Sequence, residues 1–414
     1  MTEDWQHDRA QPVPVGPPRR VRSRRERLRE QRARRRRRIA TGVSVAALIV
    51  VVIGVVFLGS RLWHGMFGGT DDYAGDGVAD VVIEVRDGDT TTAIGETLRR
   101  ANVVATVKAF VAAAAGNEAI SSIQPGFYKV RTEIPAADAV ARLADPQNRV
   151  GRLVIPEGRQ LDDTTDVKTN AVTSGILSLI ARASCVSLDG DRHCVTVEQL
   201  RDAAANSPIE ALRVPDWAAP AVHAMGDDHR RIEGLIAPGA WNIDPSADAR
   251  QILATLIADS AQRYAQAGLL DAGRAVGMDP YQVLTVASLV QRESQPDDFG
   301  KVARVIYNRL AVDQKLEFDS TVNYPLDRQE VATTDEDRAR PTPWNTYVRQ
   351  GLPATPICSP SDPALAAAEH PAPGDWLYFV TIDMQGTTLF TRDYDQHLAN
   401  IEVALDNGVL DSAR

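Results

Sequence analysis

The sequence lacks the common signatures of catalysis. It has no Gly-rich phosphate loop, no Ser-His-Asp nucleophile elbow and no metal-binding His-Glu spacing. These absences set aside nucleotide-driven, serine-hydrolase and zinc-hydrolase chemistry of those motif types. No internal repeat is present, which sets aside a solenoid. Cysteine is scarce, with three residues in 414. Cys185 and Cys194 flank a turn-rich stretch and could close a hairpin with a disulfide in an oxidising compartment. Free thiols are the second reading. A zinc site beginning with Cys185, His193 and Cys194 is the third, and it lacks an evident fourth ligand. Cys358 is left over and reads as a buried or semi-buried thiol.

Long apolar runs are also scarce, and the single one present is informative. Residues 39–60 carry no charge and are long enough to cross a bilayer as a helix. Before them, residues 19–38 hold thirteen arginines against Glu26 and Glu30, a local charge of +11. The chain as a whole is at -9, so the remainder sums to -20. A basic cluster ahead of the first apolar segment places the N-terminus in the cytoplasm and the rest on the outer face. An arm of this kind can bind nucleic acid, but its position makes it a topology signal, so no nucleic-acid partner is expected. A cleaved signal peptide fits less well, because the run is long and no small-residue cleavage site follows.

The organisation is α+β. Residues 1–38 form a basic disordered arm, 39–60 a single N-terminal transmembrane helix and 61–78 a Gly-rich linker. Over 79–150 comes a compact βααβ pattern, with strands at 81–85 and 127–130 and helices at 91–101, 106–115 and 136–143. A connecting α+β region covers 151–245, with a strand at 152–155 and a helix near 197–205. Residues 246–414 form a mixed α+β region with helices at 247–267, 279–293 and 298–310. It continues through loops and short strands at 376–382 and 387–391.

Within that region Glu293 stands out. Asp279 reads as an N-cap, Pro280 as the first helical residue and Gln282 as the capping-box partner. Val283, Val286, Ala287 and Val290 make a buried stripe, and Glu293 continues it. Pro296 stops the helix soon after. A carboxylate there is disfavoured by desolvation and by the negative end of the helix dipole, which suits a general acid near neutral pH. The bland alternative is a fraying helix end with Glu293 turned to water. Asn308, Arg309, Asp319, Thr321, Tyr324, Asn345, Thr346 and Tyr347 lie around it in sequence, types that suit the hydroxyl and amide groups of a sugar polymer. For any one of them, turn formation or capping is the simpler role.

Together these pieces resemble the endolytic murein transglycosylase, or YceG-like, family. The likeness rests on residues 286–294 (VASLVQRES), 301–310 ending in YNRL, 316–324 (LEFDSTVNY), 345–347 (NTY) and 351–353 (GLP). Residues 155–158 (IPEG), 233–234 (EG), Tyr378 to Val380 and His397 also fit. A long charged loop at 327–343 and Thr388 in place of an expected His depart from the pattern. The resemblance implies a LysM-like module at 79–150 and catalysis by Glu293 without a cofactor or metal. The substrate it implies is peptidoglycan glycan strands at the cell membrane, cut between N-acetylmuramic acid and N-acetylglucosamine with a 1,6-anhydro end. Peptidoglycan synthases are then candidate protein partners. A non-catalytic peptidoglycan-binding or scaffold protein is the alternative. Glu157, Glu233 and Asp319 are the next carboxylates in line as the acid.

Overall fold

The computed structural model describes residues 71–326, 328–329 and 333–409. The expected arm and apolar segment at 39–60 lie outside the described residues. Among the described residues no helix is long and apolar enough to cross a membrane.

The N-terminal module follows the expected order. Strand Asp80–Val85 is succeeded by helices Thr91–Arg100 and Val107–Ala114, strand Gly126–Arg131 and helix Ala136–Ala144. Thr90 and Thr106 cap the first two helices by accepting from the amides of Ala93 and Ala109. The two strands pair antiparallel, with Ile83 opposite Tyr128, and a short third strand, Arg149–Val150, extends the sheet. Alternation along Gly126–Arg131 turns Tyr128 and Val130 inward. They join Ile94, Leu98, Phe110 and Leu143 in a core of their own.

Gly151 links this module to the next strand, Arg152–Ile155, which pairs antiparallel with Gly239–Asn242. Gly151 has φ +68°, and a Cβ there would lie 1.9 Å from the Ile243 carbonyl oxygen, so only glycine fits. Three polar bridges hold the module to the body. Asp80 and Asp189 exchange amide-to-carboxylate bonds of 3.0 Å, Lys129 Nζ donates to the Ser187 carbonyl at 3.2 Å, and Arg149 Nη2 donates to Asn242 Oδ1 at 3.1 Å. Asp189 and Ser187 belong to the hairpin of strands Val186–Leu188 and Asp191–His193. Cys185 and Cys194 close that hairpin as a disulfide, and Cys358 is free and buried.

The body is built around helix Pro280–Glu293. The capping box forms as expected: Asp279 Oδ1 accepts from the Gln282 amide at 2.9 Å and Gln282 Oε1 from the Asp279 amide at 3.0 Å. Its burial exceeds the expected stripe, because every residue from Val283 to Val290 is buried. Helices Leu269–Val276, Phe299–Ala311 and Asp362–Glu369 pack around it. Asp298 stands at the N-cap of Phe299–Ala311 but makes no capping bond; its carboxylate pairs with Lys301 Nζ at 2.9 Å. The expected strands near the C-terminus form a hairpin, Tyr378–Thr381 with Thr388–Thr391. Helices Asp319–Asn323, Asp335–Ala339, Asp362–Glu369 and Tyr394–Asp406 occupy stretches read from sequence as loops.

Peptide mapping without reductant is expected to recover Cys185 joined to Cys194, with Cys358 unpaired. Loop entropy puts the loss on replacing both with Ser at about 2–3 kcal/mol of unfolding free energy. Three free thiols in freshly purified, unreduced protein would reject the pairing.

Candidate active site

Glu293 is the last residue of its helix. Ser294 is already extended at φ -151° and ψ 172°, and Pro296 follows, so the carboxylate stands at the negative end of the helix dipole. The side chain is half-buried and keeps one face to solvent. Burial pushes its pKa from the ordinary 4.5 up to about 7. Ser320 Oγ donates to Glu293 Oε1 and opposes that rise, whereas the negative charge of Asp319 adds to it. Arg292 and Arg309 also oppose it. Burial outweighs the Ser320 donor and the two arginines, so the carboxyl is held near neutrality.

Ser320 sits beside Asp319 at the start of the one-turn helix Asp319–Asn323. Burial alone would raise Asp319. Donors from Arg338, Thr333 and Tyr347 outweigh it and hold this carboxyl below the usual range. Tyr347 Oη and Thr333 Oγ1 each donate to Oδ1 at 2.7 Å, and Arg338 Nη2 donates to Oδ2 at 3.1 Å. Two neighbouring carboxyls are thus driven apart, one toward the protonated form and the other toward a fixed anion.

The remaining expected residues divide by exposure. Glu293, Asp319 and Tyr347 are half-buried and come together. Thr321 and Thr346 were expected to meet substrate but are fully buried, with hydroxyls 2.9 Å apart. Thr346 Oγ1 also accepts from the Phe318 amide at 3.0 Å. Asn345 is buried too; its Nδ2 donates to the carbonyls of Arg338 and Arg340 at 3.0 and 2.7 Å. Tyr324 turns inward and donates to Glu233 Oε2 at 2.8 Å. These four residues position the site, because their polar atoms are spent on the protein itself.

Arg309 and Asn308 act as braces. Arg309 Nε donates to the Leu377 carbonyl at 2.6 Å and Nη1 to that of Leu316, and the guanidinium lies 5.5 Å from the Tyr378 ring centre. Asn308 Nδ2 donates to the Trp376 carbonyl at 2.8 Å. Together they hold the C-terminal hairpin against helix Phe299–Ala311. The turn of that hairpin reaches Gln295, where a Cβ on Gly386 would lie 3.9 Å from Gln295 Cγ. Sequence reasoning did not single out Ser320, Thr333 or Arg338. Ser320 adjoins Asp319, but its bond to Glu293 spans 27 residues and leaves no local trace.

Among the described residues no group of three or more His, Cys, Asp or Glu side chains is arranged to hold a metal. Two clefts lie elsewhere, one of about 740 Å³ beside the disulfide hairpin and one of about 700 Å³ between module and body. Glu293 is half-buried, with Ser320 bonded to it and Asp319 and Arg309 acting on its charge.

The model of the YceG-like family matches residues 83–403. The chain belongs to the YceG-like family. Two relatives are each named endolytic murein transglycosylase. One, from Streptococcus pneumoniae serotype 2 (strain D39 / NCTC 7466), is 24% identical over 335 residues, covering 78% of this chain and 58% of the relative. The other, from Bacillus subtilis (strain 168), is 25% identical over 325 residues, covering 78% of this chain and 84% of the relative. This chain therefore spans less than two thirds of the pneumococcal protein. A crystal structure of a YceG-like protein from Listeria monocytogenes aligns with a TM-score of 0.47 at 22% identity, covering 77% of this chain and 98% of that one.

The raised pKa of Glu293 has a consequence for stability. Its folded value, about 7, lies above the ordinary 4.5. The stability it contributes is therefore present below about pH 4.5 and is lost as pH rises through 7. Glu293→Gln is expected to be more stable than the wild type above pH 7, by on the order of 1–3 kcal/mol, with the gain vanishing near pH 4.5. Urea unfolding at both pH values measures this. An equal gain at both would refute a raised carboxyl.

Proposed function

We propose that this chain is an endolytic lytic transglycosylase that cleaves the bond between N-acetylmuramic acid and N-acetylglucosamine in peptidoglycan glycan strands. One observation carries the reading. Glu293 is a carboxyl held near its protonated form yet open to a polymer, and its neighbour Asp319 is engaged by Tyr347, Thr333 and Arg338. Ordinary glycosidases need a second free carboxylate, to activate water or to form a glycosyl-enzyme. Asp319 is poorly placed for either role.

One acid suffices for the transglycosylase reaction. The Glu293 carboxyl donates its proton to the bridging oxygen as the bond from muramic-acid C1 to that oxygen breaks. The sugar's own 6-hydroxyl attacks the oxocarbenium-like C1, and its proton passes to the Glu293 carboxylate. A 1,6-anhydro end forms and the acid is regenerated. The nucleophile is intramolecular, so its orientation replaces water activation. Asp319, fixed as an anion nearby, favours the positive charge that develops at the ring.

The same reading assigns residues 39–60 as a membrane anchor, with the described part on the outer face, and the 79–150 module as a LysM-like glycan contact. A disulfide between Cys185 and Cys194 suits an oxidising, extracytoplasmic setting. The names of the relatives, endolytic murein transglycosylase, support the reaction class.

Glu293→Gln keeps the shape and removes the transferable proton. Its turnover of purified glycan is expected to fall by at least ~10²–10⁴-fold while glycan binding persists. Mass spectrometry of the fragments reads out anhydro ends, and activity within a few-fold of wild type would unseat Glu293 as the acid. For topology, protease added to intact spheroplasts is expected to digest the part after residue 60. Full protection of that part would reverse the assignment.

A further inference from the structure

A second carboxyl shares the raised pKa of Glu293 but cannot meet a polymer. Glu233 is fully buried. Its Oε2 accepts from the Leu161 amide at 3.0 Å and from Tyr324 Oη at 2.8 Å, and its Oε1 accepts from the Gly234 amide at 3.3 Å. Gly234, at φ +76°, lies so close to Pro356 that a Cβ would stand 2.5 Å from the proline ring. Burial raises Glu233 to about 7, opposed by the Leu161 and Tyr324 donors and aided by the charge of Asp162.

Tyr324 makes this carboxyl relevant to the site. It is the C-cap of helix Asp319–Asn323, whose other end carries Ser320 and Asp319. One helical turn has little stability of its own, so its placement depends on its tethers. At the Ser320 end the tethers are the bond to Glu293, the Thr321–Thr346 contact and the donors around Asp319. At the far end Tyr324 is a tether to Glu233. Its ring sits edge-on to Trp344 at 5.2 Å, and Arg230 covers Trp344 at 4.6 Å. The helix therefore bridges two carboxyls, Glu293 through Ser320 and Glu233 through Tyr324.

We propose that Glu233 is a positioning residue for the reaction: through Tyr324 it fixes helix Asp319–Asn323, and thereby the Ser320 hydroxyl that bonds the acid. This rests on Glu293 being that acid, as argued above. The Ser320 donor stabilises the Glu293 carboxylate, so releasing the helix raises the Glu293 titration point. Asp319, Arg292 and Arg309 are the charged groups that also act on Glu293, and Tyr347 lies near. Only Ser320 and Asp319 travel with the helix. Any weakening of the Asp319 charge would push the other way, which makes the sign of the shift diagnostic.

The test uses Tyr324→Phe, which removes one hydroxyl and keeps the ring against Trp344. Carbon-13 NMR of glutamate side-chain carboxyls, assigned with Glu293→Gln, follows Glu293 in the full chain. An upward shift in Tyr324→Phe is expected, together with a fall in kcat of about 10-fold and little change in KM. Ser320→Ala should shift the titration upward by itself, and adding Tyr324→Phe to it should add nothing. Glu233→Gln, which keeps one acceptor, should restore part of the loss seen in Glu233→Ala. An unchanged Glu293 titration in Tyr324→Phe overturns the proposal, even if stability falls, and so does a further shift on the Ser320→Ala background. The titration decides this without substrate. A wild-type chain that fails to turn over glycan would instead count against the reaction class.

Discussion

A helix buried along its length has to deliver its final side chain to solvent, and the active surface depends on that requirement. From Val283 to Val290 the helix offers the core no polar face, and its last carboxylate emerges where the chain turns extended at Ser294. Burying the helix fixes Glu293 to the most rigid part of the body. Ending it there places the carboxyl at the negative end of the helix dipole. The acid is tuned chiefly by burial, and the Ser320 hydroxyl then moderates that tuning.

Around this end, hydrogen bonds to the backbone serve as the framework. Asn345 holds the segment after helix Asp335–Ala339, Arg309 holds the strand at Leu377 and the loop at Leu316, and Thr346 holds Phe318. Of the residues served, Leu316 and Phe318 are buried, where a backbone group left without a partner costs roughly 1–3 kcal/mol apiece. The polar residues clustered in sequence around the acid are thus mostly structural, and the open face is left to Glu293, Asp319, Ser320 and Tyr347.

Much of this was legible in the sequence, for physical reasons that differ by element. The Pro280–Glu293 helix announces itself through Asp279, Pro280 and Gln282, a local code. Its all-round burial does not, because Thr285 and Ser288 read as polar. Their hydroxyls donate back to the carbonyls of Tyr281 and Thr285, at 2.9 and 2.7 Å, which lets them enter the core. Helix Asp362–Glu369 was read as loop although Ser361 caps it and Pro363 opens it; its short Ala-rich run has little periodic contrast. The pairing of Tyr324 with Glu233 joins residues 91 apart, and no local pattern could carry it. The carboxylate was legible, and its supporting shell was not.

The join between module and body has a mechanical meaning. The two apolar cores share no residue, and the chain crosses between them through Gly151 alone. Beyond that crossing, the seam is held by Asp80 with Asp189, Lys129 with Ser187 and Arg149 with Asn242. Contacts of this kind contribute only about 0.5–1.5 kcal/mol each. Tension applied to the module would thus part the seam before it tore either core.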